Sequence, residues 1–151
     1  MIYEARTGMD HRVTFELLQA ARAYRVRSAK LLSRVGLYPG QDALLKLLAD
    51  NGNMTMGEAA SALSIQPPTV TKMVNRLSAA GLVRTEVVDR DRRKISISMT
   101  DAARNKIEEI DAIWAELETE ALNQVEPQQL RSQLSAIARN LSRNDNKEQA
   151  A

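Results

Sequence analysis

Two adjacent prolines, Pro67-Pro68, restrict this chain more than any other feature of its sequence. Neither carries an N–H for a helical hydrogen bond, and a proline ring clashes with the carbonyl four residues back, so no helix can run through the pair. A helix can start on it, because first-turn amides have no partner inside the helix and the ring pre-sets a helical φ. Downstream, Val70, Val74 and Leu77, flanked by Met73, recur at helical spacing as far as Gly81. Upstream, Thr55-Met56-Gly57-Glu58 has the spacing of a capping box and opens a short helix containing Ala59, Ala60 and Leu63. Only Ser64-Ile65-Gln66 lies between the two helices, and this arrangement predicts a helix–turn–helix.

The period changes after Gly81. Residues Leu82 to Val88 and Lys94-Ile95-Ser96-Ile97-Ser98-Met99 are rich in β-branched side chains and alternate, with Asp89-Arg90-Asp91-Arg92-Arg93 between them. That pattern predicts a β-hairpin with a very polar tip. A helix–turn–helix followed by a hairpin is the layout of a winged helix.

Helical spacing also covers the flanks. Leu17, Leu18, Ala21, Tyr24, Leu31 and Leu32 mark a first helix within 10–35, ending before Gly36. Tyr38-Pro39-Gly40 is turn chemistry, followed by a helix with Ala43, Leu44, Leu47 and Leu48 that Asn51-Gly52-Asn53 stops. Thr100 is a natural N-cap for a long helix carrying Ile107, Ile110, Ile113, Trp114, Leu117 and Leu122. Pro127 suits the first turn of a last helix with Leu130, Leu134, Ile137 and Leu141.

The expected fold is mainly α with a small β-hairpin wing. A winged helix–turn–helix module over 36–100 is flanked by helical regions over 10–35 and 101–142, with a flexible polar tail over 143–151. The length of 151 residues fits a single domain over 1–151. Apolar stripes on the flanking helices have no partner inside so small a winged module and need burial elsewhere, which marks them as dimerisation helices. Trp114 and the Leu/Ile series are placed on that seam.

Net charge is only +2, but it is segregated. Residues 1–35 carry seven basic and three acidic side chains, 36–65 one and three, 66–100 seven and three, and 101–151 six and ten. The basic block over 66–100 coincides with the helix–turn–helix and the hairpin, as a surface for a polyanion requires. No cysteine is present, which removes disulfides, thiolate chemistry and cysteine-held metals. His11 is the only histidine and lies near the N-terminus, and no Gly-rich phosphate loop occurs, so neither enzyme chemistry nor a metal or other cofactor is expected. Glu4, Arg6, Asp10, Arg12 and Glu16 interrupt any apolar leader, and a cytoplasmic protein with no membrane partner is the expectation.

On a helical wheel Pro68, Lys72, Asn75 and Ala79 centre the face opposite the core, with Thr69, Thr71 and Arg76 at its edges. Lys72 and Arg76 suit either a phosphate or guanine O6 and N7, and Asn75 suits adenine. Because two first-turn amides are missing, phosphate contacts are expected from later amides and from Thr69 and Thr71. Gln66, just before the prolines, and Arg84, on the first strand, complete the candidate contacts there. At the wing, Arg92, Arg93 and Lys94 with Asp91 suit insertion beside a duplex, since arginine favours a narrow minor groove. Asp91, two residues before Arg93, is placed to hold that guanidinium in a fixed fork.

At this point the chain resembles the MarR family of winged-helix regulators. The matching residues are Gly36-Leu37 with Gln41, Thr69-Val70-Thr71-Lys72-Met73-Val74-Asn75-Arg76-Leu77, Gly81-Leu82-Val83, and Asp91-Arg92-Arg93 followed seven residues later by Thr100. They span residues 36 to 103, departing from the family pattern at Val88-Asp89-Arg90 and at Ala103. The resemblance implies a homodimer with interlocked first and last helices and two modules on one palindromic double-stranded DNA operator. It implies a recognition helix in the major groove and Arg93, oriented by Asp91, in the minor groove. It further implies a transcriptional regulator, typically a repressor, released by a small aromatic or anionic effector. The alternative is a winged helix that binds proteins and never DNA. RNA fits less well, because no aromatic residue lies in the basic block to stack a base.

Overall fold

A computed structural model describes residues 12–88, 90 and 94–149. The chain forms two compact units, one ending at Ala115 and one beginning at Glu116.

In the first unit α1 spans Val13–Ser33, α2 Gln41–Asn51, β1 Met54–Thr55, α3 Met56–Leu63, α4 Pro67–Ala79, β2 Val83–Val87 and β3 Ile95–Met99; α5, Asp101–Ala121, starts there and crosses into the second unit. Gly36 ends the turn after α1 with φ 73°, and Gly52 at φ 77° closes α2, which is where glycine's freedom at positive φ is needed. The capping box forms as expected: Glu58 N–H donates to Thr55 Oγ1 at 3.2 Å and Thr55 N–H donates to Glu58 Oε2 at 2.8 Å. Ser64 closes α3 in the left-handed conformation, with Ile65 N–H on the Ala60 carbonyl at 3.1 Å. These bonds turn the chain sharply enough for only three residues to separate α3 from α4.

The hairpin forms, but as part of a three-stranded antiparallel sheet in the order β1-β3-β2. The sequence reading missed β1, a two-residue strand too short to show a period; Met54 faces Ile97 and Thr55 faces Ser96. Val83 pairs with Met99, Thr85 with Ile97 and Val87 with Ile95, and of these Val83 and Ile97 are buried in the core. Exposure rises along β2 from 2% at Val83 to 52% at Val87, and the hairpin leaves the core toward its tip. Leu44, Leu45, Leu48, Val70, Val74, Leu77, Val83 and Ile97 are all buried, each side chain contributing about 1.5–3 kcal/mol.

Burial corrects the reading of the flanking stripes in one respect. Leu31, Leu32, Ile110 and Ile113, assigned to apolar stripes without a partner, are buried within the chain, whereas Val13, Leu18, Tyr24 and Val26 of α1 are exposed. The second unit holds the end of α5 and α6, Pro127–Gln149. Gln128 N–H donates to Glu126 Oε1 at 3.2 Å at the start of α6, which opens on Pro127 and continues to Gln149, into the segment read as a tail. Leu134 and Leu141 are exposed on it.

Candidate nucleic-acid interface

Helix α4 starts as the prolines require. Gln66 is extended (φ −69°, ψ 142°), the conformation a following proline imposes, and Pro67 and Pro68 fill the first two helical positions. The Thr69 and Val70 amides both donate to the Gln66 carbonyl, at 3.0 and 3.3 Å. The expectation that later amides grip a phosphate is therefore corrected: two first-turn amides do not exist and the next two are occupied. Thr71 is exposed, and its hydroxyl donates to the Pro67 carbonyl at 3.1 Å. What the helix offers outward is side chains.

Those side chains do gather. Pro68, Thr71, Lys72, Asn75, Arg76 and Ala79 line one open concavity of about 670 Å³. Thr69 and Gln66 are exposed at its N-terminal end. Arg84 is exposed but borders a different concavity, of about 660 Å³, with Ser78, Thr85, Thr100 and Asp101, so the structure does not group it with the α4 face. Lys94 is exposed at the start of β3, where its carbonyl accepts from Val88 N–H at 3.0 Å. Asp91, Arg92 and Arg93, with the Asp91–Arg93 fork, lie outside the described residues, as does His11.

Several contacts hold α4 in place. Val70, Val74 and Leu77 anchor its inner face. At its C-terminal end Leu82 N–H donates to Leu77 O at 2.9 Å, Gly81 turns at φ 74°, and Thr100 Oγ1 donates to Gly81 O at 2.6 Å. Thr100, read as the N-cap of α5, thus also ties the start of that helix to the turn closing α4. Gly40 lies so close that a Cβ there would stand 2.8 Å from Met73 Cε. The Arg76 guanidinium lies over the Tyr38 ring, 5.6 Å from its centroid.

A polar cluster behind this surface escaped the sequence reading. Asp42 accepts from Gly40 N–H at 2.9 Å and from Trp114 Nε1 at 2.8 Å. Trp114, placed on the dimer seam from sequence, thus has its indole N–H bonded within its own chain. Lys46 lies 5.9 Å from the Trp114 ring centroid and pairs with Asp111 at 2.8 Å, a bond that pushes the lysine pKa up. One signal was available: Asp42 precedes Leu45 by three residues, an acid on the apolar stripe of α2. Among the described residues no cluster of histidine, cysteine, aspartate or glutamate could hold a metal ion, and no helix is long and apolar enough to cross a membrane.

A capped short helix, a three-residue turn, a helix with an outward cationic face and an adjoining hairpin define a winged helix–turn–helix protein. A profile of the MarR family matches residues 35–94. The uncharacterized HTH-type transcriptional regulator YwoH of Bacillus subtilis (strain 168) is 31% identical over 114 residues, 76% of this chain and 82% of that protein. The chain belongs to the MarR family of transcriptional regulators. Its fold matches the MepR–DNA complex of S. aureus with a TM-score of 0.79 at 19% identity, covering 87% of this chain and 99% of that one. It also matches BpsR of Bordetella bronchiseptica, whose DNA binding is regulated by 6-hydroxynicotinic acid, with a TM-score of 0.77 at 21% identity over 91% and 98% of the two chains.

Proposed function

We infer that the protein is a cytoplasmic, homodimeric repressor, without enzymatic activity, that binds a palindromic double-stranded operator through α4 and the hairpin and leaves it when a small aromatic or anionic effector binds. The concavity of α4 carries this reading: Lys72, Asn75 and Arg76 face solvent side by side on a helix whose opposite face is locked into the core. Such a helix suits a major groove, with Lys72 and Arg76 for phosphate or guanine and Asn75 for adenine. Gln66 and Thr69 extend the contact at the N-terminal end, and Pro68 keeps that end rigid. The wing residues Arg92, Arg93 and Lys94, with Asp91 orienting Arg93, serve the neighbouring minor groove. Arg84 serves the flanking backbone, and Thr71 joins only by leaving its bond to Pro67.

Val13 and Tyr24, exposed and about three turns apart on one side of α1, support dimerisation by giving a second chain apolar surface to cover. Two modules would then meet half-sites about 34–36 Å apart, one helical turn. The effector reading is supported by the small-molecule regulation of BpsR.

The test is a salt titration of binding to a duplex enriched by the protein from sheared DNA of its source, with sedimentation to give the binding species. About six to ten phosphate contacts predict a loss of about 10³–10⁵ in affinity between 50 and 200 mM salt. A monomeric species, or an affinity indifferent to salt, overturns the reading in favour of a protein-binding winged helix.

A further inference from the structure

We propose that Tyr38 is a positioning residue for DNA recognition: its ring holds the Arg76 guanidinium ready for the duplex. The inference rests on the DNA-binding reading above and adds to it a residue outside the helix–turn–helix.

Tyr38 belongs to the turn between α1 and α2 and is 62% exposed, so its ring is not there to fill a core. Its backbone is nevertheless fixed. Tyr38 N–H donates to Gln41 Oε1 at 2.9 Å, Gln41 N–H returns to Tyr38 O at 3.1 Å, and Gln41 and the preceding Leu37 are both buried. Two residues on, Gly40 packs against Met73 of α4. A rigid turn therefore presents an aromatic face to the recognition helix, and Arg76 lies over it. Among the described residues no carboxylate pairs with Arg76.

The chemistry of the contact matters. A carboxylate partner would occupy the donor fork of the guanidinium and neutralise its charge. An aromatic ring takes only the planar face, leaving the N–H edges and the full charge for a phosphate or a guanine. Arginine otherwise loses extensive rotamer freedom on binding, and a side chain already stacked has less to lose. Tyr38 thus preorganises Arg76 without competing for it.

The experiment measures equilibrium binding of the enriched duplex by wild type, Tyr38→Phe, Tyr38→Leu, Tyr38→Ala, Arg76→Ala and the double variant Tyr38→Ala/Arg76→Ala, with each fold checked by circular dichroism. Phenylalanine keeps the π face and is expected to bind like wild type. Leucine and alanine are expected to weaken binding about two- to fivefold for each module engaged, or about four- to twenty-fivefold for two. In the Arg76→Ala background the Tyr38 substitution is expected to change nothing further. Wild-type affinity in folded Tyr38→Leu, or a Tyr38→Ala loss that multiplies fully with that of Arg76→Ala, overturns the proposal while leaving DNA binding intact. Failure of the wild-type chain to enrich or bind any duplex overturns the DNA-binding reading itself.

Discussion

The indole of Trp114 donates to Asp42 Oδ2 at 2.8 Å, joining α5 to the first turn of α2 through an aspartate only 8% exposed. The other carboxylate oxygen accepts from Gly40 N–H at 2.9 Å, so the carboxylate is satisfied from two elements at once. Trp114→Phe keeps one aromatic ring but removes the second ring and the indole N–H, and the stranded Asp42 lone pair alone costs about 1–3 kcal/mol. Urea denaturation followed by circular dichroism is expected to show a lower midpoint with an unchanged slope. An unaltered midpoint would mean that solvent replaces the indole at no cost.

Gly40 couples the same corner to α4. Its φ of 95° is a conformation L residues rarely adopt, and a Cβ would meet Met73 Cε at 2.8 Å. Gly40→Ala is expected to destabilise the fold by about 1–3 kcal/mol through backbone strain alone. Met73 Cε is the free end of a flexible side chain and can swing aside, so the strain at Gly40 is the main cost and Met73→Ala in the same chain does not remove it. Thermal melts of Gly40→Ala, Met73→Ala and the double variant should therefore show the double no more stable than Gly40→Ala alone; a double variant restored to wild-type stability would place the cost in the Met73 contact instead.

The capping box gives a dependence on pH. Thr55 N–H donates to Glu58, and this bond, more than any other influence, holds the Glu58 carboxyl below the ordinary carboxylate range. A nearby Lys94 acts in the same direction. Because the folded-state pKa is depressed, the ionised carboxylate stabilises the fold above the unfolded pKa, and that stability is lost as pH falls through the folded value. Glu58→Gln is expected to be less stable than wild type at neutral pH, with the gap closing on acidification. A gap that stays constant from neutral to acid would rule out the charged bond as its source. Thr55→Ala, which removes the other half of the box, is expected to cost about 1 kcal/mol.

Most of the architecture could be read from the sequence because it is governed by local chemistry. Pro67-Pro68, the Thr55/Glu58 pair, the glycines at 36, 52 and 81, and the switch to alternation after Gly81 act over a few residues, and the elements they bound are present. Long-range pairings were not legible. Nothing in Met54-Thr55 announces a strand, because its pairing depends on β3 more than forty residues away. Trp114 finds Asp42 across 72 residues, and Lys106 donates to Val35 O at 2.8 Å across 71. The outward face of α4 followed from its period, but the occupied Thr69 and Val70 amides and the bonded Thr71 hydroxyl are details of the first turn that a helical wheel does not carry.

Arg93 is proposed as the wing's minor-groove residue. Arg93→Ala is expected to lower duplex affinity while the dimer elutes unchanged on gel filtration, and Asp91→Ala to do the same more weakly, because it removes only the orienting partner. Loss of the dimer in either variant would move these residues from DNA contact to assembly.

Lys72 and Asn75 stand side by side on the exposed face of α4, yet their chemistries predict different failures. A lysine on a phosphate is a point charge that releases a counterion and carries no sequence information. Lys72→Ala should weaken binding to matched and mismatched duplexes alike and flatten the log–log salt slope by about 0.9 for each phosphate no longer neutralised. Asparagine carries no charge and pairs with adenine through two bonds, an interaction worth about 1–3 kcal/mol of discrimination. Asn75→Ala should leave the salt slope unchanged and narrow the gap between the selected duplex and one altered at a single adenine. Fluorescence anisotropy at several salt concentrations on both duplexes separates the two effects. If Lys72→Ala changes only the sequence preference, the lysine reads guanine and not a phosphate; if Asn75→Ala leaves the preference intact, the asparagine does not read adenine.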